Sequence, residues 1–229
     1  MGQPDTAESA QHLSRSVRWA TFDCYGTLID WNAGIRGELA RVFGDDRADE
    51  LLERYHEVEP EIQREDPSRL YREVLTEVMR RLGAPAGEEE ALARSLPDWP
   101  PFPETRASLY EAHDSGWNLA ILSNTDRDLL DASIERLGVP IDHSVVAGEI
   151  GSYKPAHRHW ERFFGETGAD RGRTVHVAQS HYHDIVPAAE LGLRSIWINR
   201  RGERGDTPPT RELRDLTRLT QTLDELVPQ

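Results

Sequence analysis

In the second half of the chain, the pattern of apolar and polar positions alternates between one typical of buried strands and one typical of helices. Short apolar runs with the composition of buried strands are separated by stretches in which apolar residues recur at helical spacing. The predicted strands lie at 117–124, 143–149, 174–180 and 194–200, and the predicted helices at 126–138, 156–168, 184–192 and, last, 219–226. This order predicts an α/β fold in which crossover helices join the strands of a Rossmann-like parallel sheet.

The first hundred residues have a different pattern. Residues 17–25, VRWATFDCY, predict a buried first strand that ends in a Gly-Thr turn. Residues 31–99 are helical in pattern, most clearly at 66–83, where Asp66 is a candidate N-cap. The proline-rich stretch 96–105 interrupts any helix and marks a boundary before the alternating half begins.

Composition narrows the classes of function. The chain has 229 residues and a formal net charge of −14, a field that repels nucleic acid and anionic membranes but leaves room for a small anionic substrate in a locally basic pocket. No apolar run reaches the roughly 18 residues of a membrane helix. The single cysteine, Cys24, excludes an intramolecular disulfide and favours the cytoplasm. Residues 1–16 lack the apolar centre of a signal peptide and predict a flexible extension.

Candidate chemistry falls at the ends of the predicted strands, where sites form in parallel sheets. Asp23 ends the first strand and is either a nucleophile or a turn cap. Ser123 and Asn124 precede a helix and are either an anion cradle or an N-cap. Lys154 is either a solvated surface charge or, if its ammonium meets Asp23 and Ser123, a functional group. Asp184 is either a site carboxylate or a helix dipole partner.

The four segments DCYGTL, LSN, YKP and HVAQS with the aspartate that follows occur in an order that resembles the haloacid dehalogenase superfamily. The resemblance covers the chain from residue 17 to its end. It implies a Rossmann-like core domain formed by 17–30 and 100–229, with a helical cap domain at 31–99 inserted after the first strand. It also suggests a homodimer.

The first motif departs from the phosphatases of this superfamily. Those enzymes carry Asp-x-Asp, whose second acid protonates the leaving group, and they bind Mg²⁺ with two acids of the last motif. Here Tyr25 replaces the second aspartate, and Ser180 stands where a further acid is expected. The motif is instead similar to that of the 2-haloacid dehalogenases, in which an aspartate displaces a halide that needs no proton.

The resemblance to these dehalogenases implies a metal-independent reaction without a cofactor. Asp23 forms an ester with the substrate, and water then attacks the ester to release a 2-hydroxy acid. Thr27 belongs to the same motif and is included in the catalytic set. Ser123 and Asn124 would bind the substrate carboxylate, Lys154 would balance charge, and Asp184 would position either Lys154 or the hydrolytic water.

The predicted halide pocket differs from that of the resembled subfamily. His56 lies near the place of a cap arginine, with Arg54 and Arg64 nearby. Trp160, Gln179 and His181 replace a tyrosine, a serine and an asparagine. We include these residues and Tyr25 among the substrate-binding candidates. The pocket therefore leaves open whether the substrate is halogenated.

Two alternatives remain from the sequence. The first is a Mg²⁺-dependent phosphatase that uses Asp23, the carbonyl of Tyr25 and Asp184 as ligands. The second is a non-catalytic member of the fold, against which the retained acidic and basic residues speak.

His181 and His183 are two residues apart and would not share a helix face, so we predict no zinc site.

Overall fold

A computed structural model describes residues 17–229. The predicted flexible extension, 1–16, lies outside the described residues. Six parallel strands form one sheet in the order β3-β2-β1-β4-β5-β6. The strands are β1 (Arg18–Phe22), β2 (Trp117–Ser123), β3 (His143–Val146), β4 (Thr174–Ala178), β5 (Arg194–Ile198) and β6 (Arg211–Leu213). The predicted α/β fold with a Rossmann-like parallel sheet is confirmed.

Ten α-helices accompany the sheet in the described part of the chain. They are α1 (Trp31–Phe43), α2 (Asp45–Glu65), α3 (Tyr71–Arg81), α4 (Ala91–Ser95), α5 (Thr105–Asp114), α6 (Arg127–Leu137), α7 (Ala147–Ile150), α8 (Arg158–Thr167), α9 (Val186–Glu190) and α10 (Leu219–Leu226). Helices α1 to α4 follow the first strand, in the range 31–99 where the sequence analysis expects a helical cap domain, and we refer to them as the cap. The division into two domains stays a prediction. The short 3₁₀ turn Leu96–Asp98 follows α4 where the prolines begin.

The position of β1 in the sheet decides where the site lies. All five residues of β1 are buried, and the strand pairs with β2 on one side and β4 on the other. In register, Phe22 faces Ile121 and Val177. The carboxyl ends of these three central strands therefore meet at one edge of the sheet, where the crossover loops leave a crevice.

The start of α3 differs from the prediction. The helix begins at Tyr71, although the sequence pattern predicted a start at 66 with Asp66 as N-cap. Asp66 instead accepts hydrogen bonds from Ser68 in a preceding turn. The residue that caps the N-terminus of α3 lies instead in the core. The carboxylate of Asp126 accepts hydrogen bonds from the backbone N–H groups of Tyr71 at 2.9 Å and Arg72 at 3.0 Å. A tertiary contact has replaced the local one.

Three further elements depart from the sequence pattern. The predicted strand at 143–149 ends at Val146 and continues as the short helix α7. The predicted helix at 184–192 begins earlier, with a π-helical turn at His181–Ile185 before α9. The edge strand β6 was missed because its residues are mostly exposed and carry charges. Cys24 is fully buried in the core, as expected of a packing residue. Within the described residues, no helix is long and apolar enough to cross a membrane.

Candidate active site

A cavity of about 440 Å³ lies at the carboxyl ends of β1, β2 and β4 and is roofed by the cap. Both the core and the cap contribute to its wall. Of the residues singled out in the sequence, the cavity is lined by Asp23, Tyr25, His56, Ser123, Asn124, Lys154 and Gln179.

Asp23 follows the last residue of β1, and its carboxylate has one donor on each oxygen. The hydroxyl of Thr27 donates to Oδ2 at 2.9 Å, and the ammonium of Lys154 donates to Oδ1 at 2.9 Å. The turn between Asp23 and Thr27 passes through Gly26, whose φ of 94° favours glycine. A Cβ at Gly26 would also lie 3.1 Å from Oε1 of Gln179. The turn therefore aims two donors at one carboxylate.

Lys154 is 2% exposed, and its three ammonium protons have three acceptors. These are Oδ1 of Asp23 at 2.9 Å, Oδ1 of Asp184 at 2.7 Å and the carbonyl of Leu122 at 2.8 Å. The side chain of Asn124 holds the loop, because it accepts from the backbone N–H of Lys154 at 2.7 Å and donates to its carbonyl at 3.1 Å. One ammonium group is thus fixed between two carboxylates.

The three charged groups shift one another's pKa. Burial raises the pKa of Asp23, and the negative charge of Asp184 adds to this, while Lys154 opposes it. Burial alone would raise the pKa of Asp184 too, but Lys154 and His176 outweigh it and hold that pKa below its ordinary value. Burial would lower the pKa of Lys154, but the two carboxylates raise it overall. Asp184 is therefore the firmer partner of the ammonium, and Asp23 is the more basic carboxylate.

The donor set does not fit a magnesium ion. The ammonium of Lys154 occupies the place between Asp23 and Asp184 where a bridging cation would bind. Mg²⁺ requires an octahedral shell of oxygen ligands, normally with carboxylates among them. Across residues 17–229, no group of three or more His, Cys, Asp or Glu side chains is arranged to hold a metal ion.

His176 is a contact that the sequence analysis missed. Its Nε2 donates to Oδ1 of Asp184 at 3.0 Å, because an ionised carboxylate can only accept. Its Nδ1 is hydrogen-bonded to the hydroxyl of Thr21 at 2.8 Å. The ring of His176 packs edge to face against the ring of Trp160, and both side chains are buried. A histidine inside an otherwise apolar strand was the available signal, since a buried imidazole requires partners.

Two buried oxygen atoms in the site lack a hydrogen bond within the described residues. They are the hydroxyl of Ser123 and Oδ2 of Asp184. Buried polar groups are almost always paired. Ser123 lines the cavity, so its hydroxyl is available to a substrate, whereas Asp184 is buried behind the lining. Both residues lie beside Lys154, which contacts Asp184 directly and reaches the carbonyl of Leu122, the neighbour of Ser123.

Tyr25 lines the cavity with an aromatic ring, at the position where the phosphatases carry an acidic side chain. Its hydroxyl lies 3.0 Å from Oγ of Ser133 on α6, and burial raises its pKa well above the ordinary range. The ring stacks on Tyr71 of the cap at 6.5 Å and meets Trp99 edge to face. Tyr25 therefore joins the core to the cap and cannot donate the proton that the phosphatases obtain from this position.

Two of the predicted substrate-binding residues lie outside the cavity lining. Trp160 is fully buried behind the site and does not line the cavity, because α8 turns its ring toward His176. His181 is also outside the cavity lining, since its Nε2 donates to the carbonyl of Thr207. The π-helical turn changes the direction of this segment and brings His183 into the cavity wall instead.

The predicted replacement for a cap arginine also needs correction. His56 lines the cavity, but Arg54 and Arg64 are exposed and do not. Burial and the charge of Arg201 lower the pKa of His56, so it is neutral at pH 7. The cavity instead takes two arginines from the loop after β5, Arg200 and Arg201, which the sequence analysis missed. From the sequence, the loop after β5 was interpreted only as a polar connection.

Two relatives of known name resemble the chain over most of its length. The (S)-2-haloacid dehalogenase 4A of Burkholderia cepacia is 26% identical over 223 residues, which cover 93% of this chain and 94% of that protein. The (S)-2-haloacid dehalogenase of Pseudomonas sp. strain YL is 30% identical over 207 residues, covering 84% and 88%.

A solved structure and a family model complete the comparison. The crystal structure of the L-2-haloacid dehalogenase RSc1362 superposes with a TM-score of 0.80 at 23% identity, covering 91% of this chain and 99% of that one. A sequence model of haloacid dehalogenase-like hydrolases matches residues 17–192. The chain belongs to the haloacid dehalogenase-like hydrolase family.

Proposed function

We propose that this hydrolase is a metal-independent 2-haloacid dehalogenase that works through an aspartyl ester. The observation that carries the proposal is the ammonium of Lys154, placed 2.9 Å from Asp23 and 2.7 Å from Asp184. It supplies the positive charge that an aspartate nucleophile needs, without a divalent cation. The two (S)-2-haloacid dehalogenases that resemble the chain over most of its length support the same substrate class.

The first step is a displacement at carbon. An oxygen of Asp23 attacks the carbon that carries the halogen, a C–O bond forms, and the halide leaves with the electron pair of the broken bond. The hydrogen bonds from Lys154 and Thr27 fix the carboxylate in one orientation, which lowers the entropic cost of the attack. The hydroxyl of Ser123 is available to the carboxylate of the substrate.

The second step is hydrolysis of the ester. Water attacks the side-chain carbonyl of Asp23, and Lys154 and Thr27 stabilise the negative charge that develops on oxygen. Asp184 holds the ammonium of Lys154 in place for this step, and the proton that the attacking water loses passes to the solvent in the cavity. Collapse of the intermediate regenerates Asp23 and releases the 2-hydroxy acid.

The environment of the cavity fits a small anion. Lys154, Arg200 and Arg201 place positive charge in the cavity wall, beside the carboxyl groups of Asp23, Asp30, Glu59 and Glu203. A small anion would bind at these cationic groups despite the net charge of −14. The substrate we propose is therefore a short 2-haloacid carrying one carboxylate. A cytoplasmic location and a homodimer stay predictions from the sequence and the family resemblance.

Release of halide from a panel of small haloacids tests the proposal. We expect halide release from at least one member, with the same rate in the presence of EDTA and of added Mg²⁺. The Asp23→Asn variant should release none, whereas Asp206→Asn, which changes an exposed carboxylate in the loop after β5, should match the unchanged enzyme. Magnesium-dependent release of phosphate from a phosphate ester, with no halide release, would refute the proposal.

A further inference from the structure

His176 is a buried imidazole that takes no part in the two steps proposed above. It lies in the middle of β4, and all the residues of that strand are buried. The register of β4 with β1 sets His176 opposite Thr21, so the two side chains lie on the same face of the sheet. An imidazole in such a place costs free energy unless its ring nitrogens are paired.

Contacts from three directions fix the ring of His176. Nδ1 is hydrogen-bonded to the hydroxyl of Thr21 at 2.8 Å, and Nε2 to Oδ1 of Asp184 at 3.0 Å. The indole of Trp160 packs against the imidazole at a centroid distance of 5.2 Å. Thr21 and His176 belong to central strands, whereas Asp184 belongs to the π-helical turn after β4. The sheet therefore holds Asp184 through the imidazole.

The carboxylate of Asp184 connects this anchor to the ammonium of Lys154. Its Oδ1 is bonded both to Nε2 of His176 and to Nζ of Lys154, while Oδ2 has no hydrogen bond within the described residues. Without the imidazole, the carboxylate would be free to turn and to present both oxygens to the ammonium. Such a contact would draw the ammonium away from Asp23, to which it now donates at 2.9 Å.

These hydrogen bonds form a chain that leaves β1 and returns to its carboxyl end. From Thr21 the chain passes through His176, Asp184 and Lys154 to Asp23, two residues further along the same segment. The backbone between Thr21 and Asp23 closes the chain into a ring. Each bond of a closed network restrains its neighbours, so the loss of one member loosens the contact at Asp23.

We propose that His176 is a positioning residue, which holds Asp184 so that the ammonium of Lys154 stays on the nucleophile. The inference rests on the proposed function, in which Asp23 is the nucleophile, and adds to it a residue outside the cavity lining. The displacement requires one orientation of the Asp23 carboxylate, so the loss of His176 should appear in kcat. KM should change little, because the groups that line the cavity are unaltered.

Steady-state kinetics with (S)-2-chloropropionate test this role. His176→Leu removes the donor to Asp184 and should lower kcat by about 10- to 100-fold, with KM changed by less than about threefold. His176→Gln keeps a side-chain N–H near the place of Nε2 and should restore kcat to within about fivefold of the unchanged enzyme. An unchanged kcat in His176→Leu, or an equal loss in the two variants, would overturn the inference.

Two further variants separate positioning from stability. Val175→Ala opens a cavity beside His176 in the same buried strand, so it should lower the melting temperature but leave kcat within about twofold. A fall in kcat as large as that of His176→Leu would show a general loosening of the strand and overturn the inference. Thr21→Val removes the hydroxyl from Nδ1 and decides the question if His176→Leu does not fold. It should lower kcat with little change in KM, and an unchanged kcat would overturn the inference.

A measurement without substrate separates this inference from the proposed function. Lys154 is the only lysine in the sequence, so lysine that carries the heavy isotope of nitrogen in its side chain gives one ammonium signal by NMR. Three acceptors hold that ammonium, so we expect slow proton exchange with water in the unchanged protein and in His176→Gln. Exchange in His176→Leu should be faster by about tenfold or more.

The outcomes of the exchange measurement are distinct. Equal exchange rates in the three proteins would overturn the inference even if the unchanged enzyme releases halide. Faster exchange in His176→Leu alone would support the positioning role. If the unchanged enzyme then released no halide from any haloacid, the proposed function would be refuted while the anchoring of Lys154 by His176 would stand.

Discussion

At the scale of single residues, the proposed mechanism depends on one ammonium group in the place of a metal ion. Lys154 is the only lysine in a sequence that has 27 lysine and arginine residues. The sequence analysis gave it a function only on the condition that it meets Asp23. Its uniqueness among so many arginines was a usable signal, because a compact ammonium fits between two carboxylates where the planar guanidinium does not.

Asp23, the proposed nucleophile, is held at a cost to the stability of the fold. Burial raises the pKa of Asp23 in the folded protein, so the folded state binds this proton more tightly than the unfolded state, and ionised Asp23 destabilises the fold at neutral pH. We therefore expect Asp23→Asn to lower kcat by at least about 10³-fold and to raise the melting temperature at pH 7. Halide release and thermal unfolding measure the two effects. A lowered melting temperature would contradict the argument.

The same shift predicts the pH dependence of catalysis. The nucleophile must be ionised, so kcat/KM should fall as the pH is lowered, with an apparent pKa above the ordinary aspartate value of 3.8. The profile of a chemically slow haloacid measures this limb, and circular dichroism at each pH shows that the protein is still folded. A rate that stays constant down to pH 3.8 would contradict the predicted direction.

Removal of the ammonium should be costly. Lys154→Met leaves two buried carboxylates without their cation, so we expect a loss of about 3–5 kcal/mol in the free energy of unfolding, measured with urea at pH 7. The double variant Lys154→Met with Asp184→Asn should recover part of this loss, because only one carboxylate remains. Arg204→Met, at an exposed position, is the control. A double variant less stable than the single one would contradict this account of the triad.

At the scale of elements, the core holds the cap through the N-terminus of α3. Asp126 precedes α6 in the core and is 4% exposed, yet its carboxylate accepts from the first N–H groups of a cap helix. The hydroxyl of Tyr153, next to Lys154, donates to the carbonyl of Arg69 at 2.7 Å in the same turn. Because Tyr71 lines the cavity, these bonds position one wall of the site.

We therefore expect Asp126→Ala to lower the free energy of unfolding by about 1–2 kcal/mol and to raise KM more than it lowers kcat. The comparison is Asp128→Ala, which removes an exposed carboxylate bonded to the guanidinium of Arg72 but leaves the helix cap in place. Urea unfolding and steady-state kinetics measure both effects. Equal effects of the two variants would show that the helix cap has no special weight.

Elements differed in how far their sequence predicted them. The strands near Asp23 and Ser123 were found because each is a short apolar run buried on both faces. The predicted start of α3 was wrong because the residue that caps this helix, Asp126, lies 55 residues away along the chain. The π-helical turn at His181–Ile185 was missed because apolar periodicity does not distinguish it from an α-helix.

At the scale of the whole molecule, strand order brings together residues that are far apart in sequence. Lys154 and Asp23 are 131 positions apart and meet at 2.9 Å because β1 lies between β2 and β4. Parallel topology was predictable, and with it the meeting of strand ends. The face of α2 that lines the cavity was not predictable from the sequence. The rotation of α2 about its axis decides whether Arg54 or Glu59 faces the cavity, and tertiary packing sets that rotation.

A single turnover in water enriched in the heavy isotope of oxygen tests the central claim most directly. With enzyme in excess over a 2-haloacid, an aspartyl ester places the original oxygen of Asp23 in the product and the heavy isotope in the Asp23 side chain. Mass spectrometry of the 2-hydroxy acid and of the peptide that contains Asp23 measures both. We predict an unlabelled product and a labelled peptide; a labelled product and an unlabelled peptide would contradict the account.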